Sequence, residues 1–297
     1  MLHDQLLARV AAMRRLAVLG LAAAACAQPA AASPLEDAWG IAAFRDLYDV
    51  YVADTGHNRI ARFVHGARHV ERAFSALGHG LGELSRPHGV AVDGAEHVYV
   101  TDTGHDRVVV FDRHGTFLRT WGSRGHEPGQ FDEPFGIAVL PGGDILVSER
   151  AGNRFQRFTP AGALVGVVAR SESRPQLITV DAHGAFYATY ADGVLVRRFN
   201  AQGKVTQVYG AGNPSGHGPL QRPVGVAVDR DGRVYVADRA ACRIVRYSAS
   251  GHVLSAHGSC HTLPHLGGLV AYERLGELFA VHAGGIQAFA TLPLGDG

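Results

Sequence analysis

Pro87-His88-Gly89-Val90-Ala91-Val92-Asp93, then Val98-Tyr99-Val100-Thr101-Asp102, then Asp106-Arg107-Val108-Val109-Val110-Phe111 is the stretch whose reading decides the fold. The same three phrases return as Pro223-Val224-Gly225-Val226-Ala227-Val228-Asp229, Val234-Tyr235-Val236-Ala237-Asp238 and Cys242-Arg243-Ile244-Val245-Arg246-Tyr247. Working outward, weaker copies of the first phrase stand at Gly40-Ile41-Ala42-Ala43, Gly136-Ile137-Ala138-Val139, Leu177-Ile178-Thr179-Val180 and Gly268-Leu269-Val270-Ala271. A marker residue closes the second phrase of every copy: Asp54, Asp102, Glu149, Tyr190, Asp238 and His282, spaced 41 to 48 residues apart. Five copies then place an aromatic nine residues on, at Phe63, Phe111, Phe158, Phe199 and Tyr247, and the sixth, two residues tighter, offers Phe289. Self-similarity at this period over most of the chain is the signature of a repeat architecture.

Each unit divides into about four short strands. In the second they run near Val90 to Asp93, Val98 to Thr101, Val108 to Asp112 and Phe117 to Gly122, with turns such as His114-Gly115 between them. The strands are apolar on both sides, so each small sheet must be covered on both faces. Radial stacking of such sheets into a ring satisfies that need. The expected fold is therefore all-β: a six-bladed β-propeller of four-stranded antiparallel blades over residues 34–297, with blades starting near 40, 88, 135, 176, 224 and 266. The last unit shows only three strands before Leu292-Pro293-Leu294, which predicts that residues near Pro34 to Trp39 supply a fourth and clasp the ring.

Composition narrows the class. Apolar residues make up 46% of the 297, enough for a large core, and 38 glycines suit a turn-rich chain. The 28 basic and 27 acidic side chains leave a net charge of +1, which is no footprint for nucleic acid. Residues 1–33 read as an export leader, with Met13-Arg14-Arg15 ahead of an apolar stretch from Leu16 to Ala25 and small residues after it. Beyond them no apolar run is long enough to span a bilayer, so no transmembrane helix is expected in the mature chain. Export places the protein in the periplasm or outside the cell, and Cys26, after Ala23-Ala24-Ala25, is a candidate for lipid attachment. In an oxidising compartment the two remaining cysteines, Cys242 and Cys260, are expected to form a disulfide.

Taken together, the phrases Pro-x-Gly-Val-Ala-Val-Asp, Val-Tyr-Val-Ala/Thr-Asp and Asn/Asp-x-Arg-Ile/Val-x-x-Phe resemble the NHL repeat, from Gly40 to about Phe289. The resemblance implies a six-bladed propeller that commonly serves as a binding platform. Four acid–arginine pairs stand five apart, Asp54/Arg59, Asp102/Arg107, Glu149/Arg154 and Asp238/Arg243. Repetition around the ring marks them as scaffold. His57 and His105, in twin turns, read the same way.

Function is expected where the repeat is broken. The residue just ahead of each innermost strand is Trp39, His88, Phe135, Gln176, Val224 and, with an insertion, His265. Pro87-His88, Pro175-Gln176 and Pro264-His265 belong to alternate blades, so His88, Gln176 and His265 can converge over the channel as ligands for zinc or another divalent metal. His282 is an alternative third ligand. This arrangement is similar to that of peptidyl-α-hydroxyglycine α-amidating lyases, in which Pro-His pairs of alternate blades bind zinc. Here Gln176 stands where that family has a third histidine, and Gly56, Gly104, Ala151 and Ala240 occupy the places matching its catalytic tyrosine. Tyr190 is the nearest tyrosine. Arg150 and Arg239 follow the strand-end acid where Thr55 and Thr103 stand elsewhere, and either suits a carboxylate or phosphate. The run His252, His257, His261 and His265 around Cys260 reads as an exposed loop. No nucleophile elbow, phosphate loop or His-Glu-x-x-His sequence is present.

The leading expectation is an exported, monomeric binding module that takes a small molecule, peptide or envelope protein at the channel mouth. A metal-dependent lyase or hydrolase, with Arg150, Arg239 or Tyr190 acting on substrate, is the alternative. A purely structural envelope partner is a further one.

Overall fold

The computed structural model describes residues 35–44, 49–64, 70, 72–75, 77–210, 218–272, 277–283 and 285–290. The leader and Cys26 lie outside them. Five four-stranded antiparallel sheets and one three-stranded sheet follow one another along the chain. Blade one holds Ala38–Ala43, Val50–Asp54, Arg59–Phe63 and Arg72–Phe74, and blade two Pro87–Val92, Val98–Asp102, Arg107–Phe111 and Phe117–Trp121. The innermost strands of the next three are Pro134–Val139, Pro175–Val180 and Pro223–Val228. Blade six has Leu269–Tyr272, Glu277–His282 and Gly285–Ala290. Among the described residues no helix is long and apolar enough to cross a membrane.

The two-sided apolar strands do what their pattern requires. Every residue of Val50–Asp54, Val98–Asp102, Ile145–Glu149, Phe186–Tyr190 and Val234–Asp238 is buried. The core is a set of layers, one between each pair of neighbouring blades. Tyr51, Ala53, Ile60 and Phe74 of blade one meet Val90, Val98, Val100 and Val109 of blade two. Ala138 and Phe155 of blade three meet Phe186, Ala188 and Tyr190 of blade four in the same manner.

Glycine ahead of each Val-Ala-Val phrase answers to a backbone approach. A Cβ on Gly40 would lie 2.5 Å from the His88 carbonyl, on Gly225 2.5 Å from that of Gly267, and on Gly268 2.6 Å from that of Trp39. A hydroxyl on the second strand fills the space left over. Thr101 accepts from Gly89 N at 2.7 Å and donates to Phe135 O of blade three at 2.7 Å. Ser148 accepts from Gly136 N at 2.8 Å and donates to Gln176 O of blade four at 2.6 Å. Three adjacent blades are thus joined at the axis by one repeated contact.

The acid–arginine pairs are scaffold, as their repetition indicated. Asp54, Asp102, Glu149 and Asp238 are fully buried. Each takes its own arginine's Nε and a backbone N–H of the chain entering the blade, as Asp102 does from Arg107 at 2.8 Å and Ser85 at 2.7 Å. The outer guanidinium nitrogens hold loop carbonyls, for example Gly80 and Glu83 for Arg107.

Ring closure differs from expectation. Residues 35–37 add no strand to blade six, because Ala38 and Trp39 already belong to the inner strand of blade one, with Ala38 opposite Asp54. Packing closes the ring instead: Leu35, Ala38 and Ile41 join Tyr272, Phe279 and Val281, and Gly268 N donates to Trp39 O at 2.6 Å.

The Cys242–Cys260 disulfide is present. Cys242 has φ 50°, the left-handed position taken by Asn58 at 55° and Asp106 at 52° in blades one and two. There the side-chain oxygen accepts a backbone N–H entering the next blade, Arg86 at 2.8 Å and Glu133 at 2.9 Å. In blade five the disulfide makes the corresponding crossing covalently.

Replacing Gly136 with Ala puts a Cβ against Gln176 O, 2.8 Å from Ser148 Oγ and 2.9 Å from Ile178 N, whereas Gly142 has open space around it. Denaturant titration is expected to show a loss of about 1–3 kcal/mol for Gly136→Ala and little change for Gly142→Ala. Cys260→Ser is expected to lower stability by about 3 kcal/mol in oxidising buffer and to remove any response of the melting temperature to reductant.

Candidate functional site

Inner strands start on the face where the strand-end acids lie, so the residue before each axial glycine projects at the channel mouth. The glycine contacts set the register: Gly40 abuts His88 O, Gly89 Phe135 O, Gly136 Gln176 O, Gly225 Gly267 O and Gly268 Trp39 O. The ring at the mouth is therefore Trp39, His88, Phe135, Gln176, Val224 and Gly267. His265 is not part of it. With φ 54° it occupies the place of Asp37 (43°), Arg86 (48°) and Glu133 (55°), two residues ahead, and it is exposed. The likeness of Pro264-His265 to Pro87-His88 is one of spelling, because blade six carries extra chain between that pair and its axial glycine.

The mouth is filled. Trp39, His88, Phe135, Gln176 and Val224 are all buried. The His88 ring lies 4.1 Å from Phe135 and 5.7 Å from Trp39, and those two rings are 5.1 Å apart, edge to face. Thr103 Oγ1 donates its one proton to Pro134 O at 2.6 Å, so His88 Nδ1, 2.9 Å from that oxygen, must be the donor. Burial, helped by the positive charge of Arg150, pushes the imidazole down to about 3. It is a neutral, oriented core histidine.

The residues expected to bind a metal do not fit one. His88 keeps one nitrogen lone pair, but blade six offers Gly267 at the mouth and His265 lies outside. Among the described residues no three His, Cys, Asp or Glu side chains are placed to hold an ion, so His88, His265 and His282 are not brought together. His282 is half-buried, with its pKa lowered by that burial. Tyr190 lies within the layer between blades three and four, with the Arg197 guanidinium 4.6 Å from its ring centre. Burial pushes its hydroxyl pKa up, so it stays protonated. Blade four has replaced the acid–arginine pair with a cation–π contact.

Arg150 and Arg239 do come to the mouth. Arg239 Cζ stands 4.3 Å from the Trp39 ring centre and Arg150 Cζ 5.1 Å from that of Phe135. Arg150 Nε donates to Glu133 at 2.9 Å. Arg239 Nε donates to the Leu266 carbonyl, taking over the crossing that Thr55 and Thr103 make to Pro87 O and Pro134 O. The nearest carboxylate to Arg239 is that of exposed Asp37, at 3.8 Å, and burial lowers the pKa of this guanidinium. Two sets of six positions frame the mouth, those two residues ahead of it and those following each strand-end marker. They hold Arg86, Arg150, Arg174, Arg222 and Arg239 against only Asp37 and Glu133 as acids. The stacking and this charge bias escaped the sequence reading: Arg150 and Arg239 share one place in the repeat and Arg86, Arg174 and Arg222 another, and only the closed ring gathers the two sets at the mouth. The other end of the channel widens into a cavity of about 710 Å³ between Val92, Val139, Val180 and Val228, with Arg230 at its rim.

Residues 84–111 and 220–247, in blades two and five, match the NHL repeat family. The chain carries NHL repeats. It is 29% identical over 146 residues to Protein brain tumor of Drosophila melanogaster, a match covering 46% of this chain and 14% of that protein. Over 163 residues it is 26% identical to the E3 ubiquitin-protein ligase TRIM32 of Mus musculus, covering 48% of this chain and 25% of that one. The chain therefore corresponds to only a small part of the curated relatives it matches. A virginiamycin B lyase from Staphylococcus aureus superimposes with a TM-score of 0.58 at 16% identity, covering 88% of each chain, which is a likeness of fold.

The His88 shift carries a sign. The folded imidazole stays neutral down to about pH 3, whereas the unfolded one gains a proton near pH 6.5, so stability present above 6.5 is lost as pH falls. Each pH unit below 6.5 costs about 1.4 kcal/mol. Between pH 7 and 5 the wild-type protein is expected to lose roughly 2 kcal/mol more than His88→Phe, read by denaturant titration at each pH.

Proposed function

We propose that this NHL-repeat propeller is a binding module whose partner docks across the channel mouth, on the face bearing Arg150 and Arg239. One observation carries the reading: the mouth is a closed aromatic floor with arginine side chains standing over it, not an open cleft lined by convergent acid, base or metal-binding groups. Such a floor presents area and planar donors to another surface. A catalytic site would need a cavity at the reacting group. The relatives fit a binding role as well, since the segment matched is one part of a much longer protein in each.

The module acts after export. The leader pattern of residues 13–25 supports this, and so does the Cys242–Cys260 disulfide, a bond that persists in oxidising compartments. A periplasmic or extracellular protein is the corresponding partner class.

Position-specific photo-crosslinking tests the reading. A photoreactive residue at Arg222, exposed on the mouth rim, is expected to yield a discrete adduct in the native compartment. The same residue at Lys204, in an exposed turn on the opposite side, is expected to yield none. Adducts from 204 and none from 222 would place the docking face elsewhere.

A further inference from the structure

Building on that docking reading, we infer that the mouth recognises an acidic peptide segment, with Arg239 and Arg150 as the two carboxylate-binding forks and the Trp39 and Phe135 rings as the apolar floor beneath them. Arg239 supplies the strongest reason. Its side chain is 13% exposed, yet among the described residues its one side-chain hydrogen bond is from Nε to a backbone carbonyl, and its one ion-pair distance is 3.8 Å. A guanidinium has five N–H donors, and the two terminal nitrogens, which reach solvent at the rim, make no hydrogen bond to a described residue. This mostly buried cation has no close counter-charge among the described residues, and a carboxylate arriving from outside supplies one. Arg150 is arranged alike over Phe135, with Nε committed to Glu133. A ring beneath the guanidinium holds it by cation–π attraction and leaves its outer edge for bidentate pairing with a carboxylate.

The rest of the mouth favours a peptide over a small acid. Trp39, His88 and Phe135 are buried and in mutual contact, which leaves little room between them to enclose a small molecule. Positive charge is spread over blades two to five, through Arg86, Arg150, Arg174, Arg222 and Arg239, so several carboxylates along an extended chain can be met together. Asp37 and Glu133 are the only acids among the framing positions, and Glu133 is shared between Arg150 at 2.9 Å and Arg174 at 3.4 Å. This local excess exists although the whole chain carries a net charge of only +1. Binding should weaken with salt, because much of the attraction is between partly exposed charges.

The probe is a fluorescein-labelled hexaglutamate peptide, titrated with the full folded chain in anisotropy at low and high salt. Saturable binding is expected, weakened at least tenfold in Arg239→Gln and in Arg150→Gln. It should be unchanged in Arg113→Gln, whose side chain pairs with Glu96 in turns on the opposite face. Arg150→Gln leaves the Leu266 contact and the aromatic floor untouched, so it stays decisive if Arg239→Gln destabilises the ring. An equal loss in Arg113→Gln, or no binding of hexaglutamate, overturns the proposal. Tighter binding of an oligothymidylate of matched length with the same arginine dependence overturns it in favour of nucleic acid. If hexaglutamine binds as well as hexaglutamate, the acidic class is wrong. Crosslinking from position 222 then tells whether docking at the mouth survives without it.

Discussion

The rest of the structure depends on the approach of backbone to backbone around the channel axis. Each inner strand must pass its neighbour so closely that a carbonyl oxygen occupies the space where a Cβ would stand. Glycine at positions 40, 89, 136, 225 and 268 makes that possible. Where the second strand carries Thr101 or Ser148, its hydroxyl bonds both the strand of its own blade and the carbonyl of the next. Blade spacing is thereby set at the axis, and the apolar layers between blades follow from it. Blade four departs from the rule with Leu177 in the glycine place, and this side chain joins the cluster that contains Trp39, Phe135 and Val224.

That axial constraint also shapes the mouth. Because the carbonyl facing each glycine belongs to the residue just ahead of the next glycine, the same geometry delivers six residues in a ring. Three of these, Trp39, His88 and Phe135, are large and come from consecutive blades, so they meet and fill the opening. Arg239 then lies over the Trp39 ring and Arg150 over that of Phe135. Their position in the repeat is one where threonine elsewhere makes a short crossing to the next blade. Arg239 keeps that crossing through Nε and brings the remainder of the guanidinium to the rim. A structural position has thus been extended into a surface feature without disturbing the scaffold.

Much of this was legible in the residues. Strands, turns, the blade count and the scaffold role of the acid–arginine pairs all follow from features written several times, and repetition separates scaffold from accident. The disulfide was legible as the pairing of the two cysteines, Cys242 and Cys260, that lie beyond the leader-like segment. The candidate site was harder, since it consists of features written once. Gln176, Tyr190 and His282 break the repeat, but breaking it does not bring side chains together. His265 shows the failure most clearly: it follows a proline as His88 does, yet the two do not occupy corresponding places. Blade six also lacks the expected strand from residues near 34–39, because that segment was already committed to the inner strand of blade one.

By itself the sequence determined that the chain forms a ring of six small sheets, because two-sided apolar strands punctuated by glycine at one period have few other ways to bury both faces. It also determined which polar residues serve the frame. Only the tertiary structure decided what stands at the channel mouth. Register there depends on which carbonyl faces which glycine, a contact between residues some 45 apart, and two extra residues, Leu266 and Gly267, between Pro264-His265 and Gly268 shift it in blade six. The stacking of Arg239 on Trp39 joins blade five to blade one across the closure of the ring. No local pattern encodes that contact, because it exists only once the ring has closed.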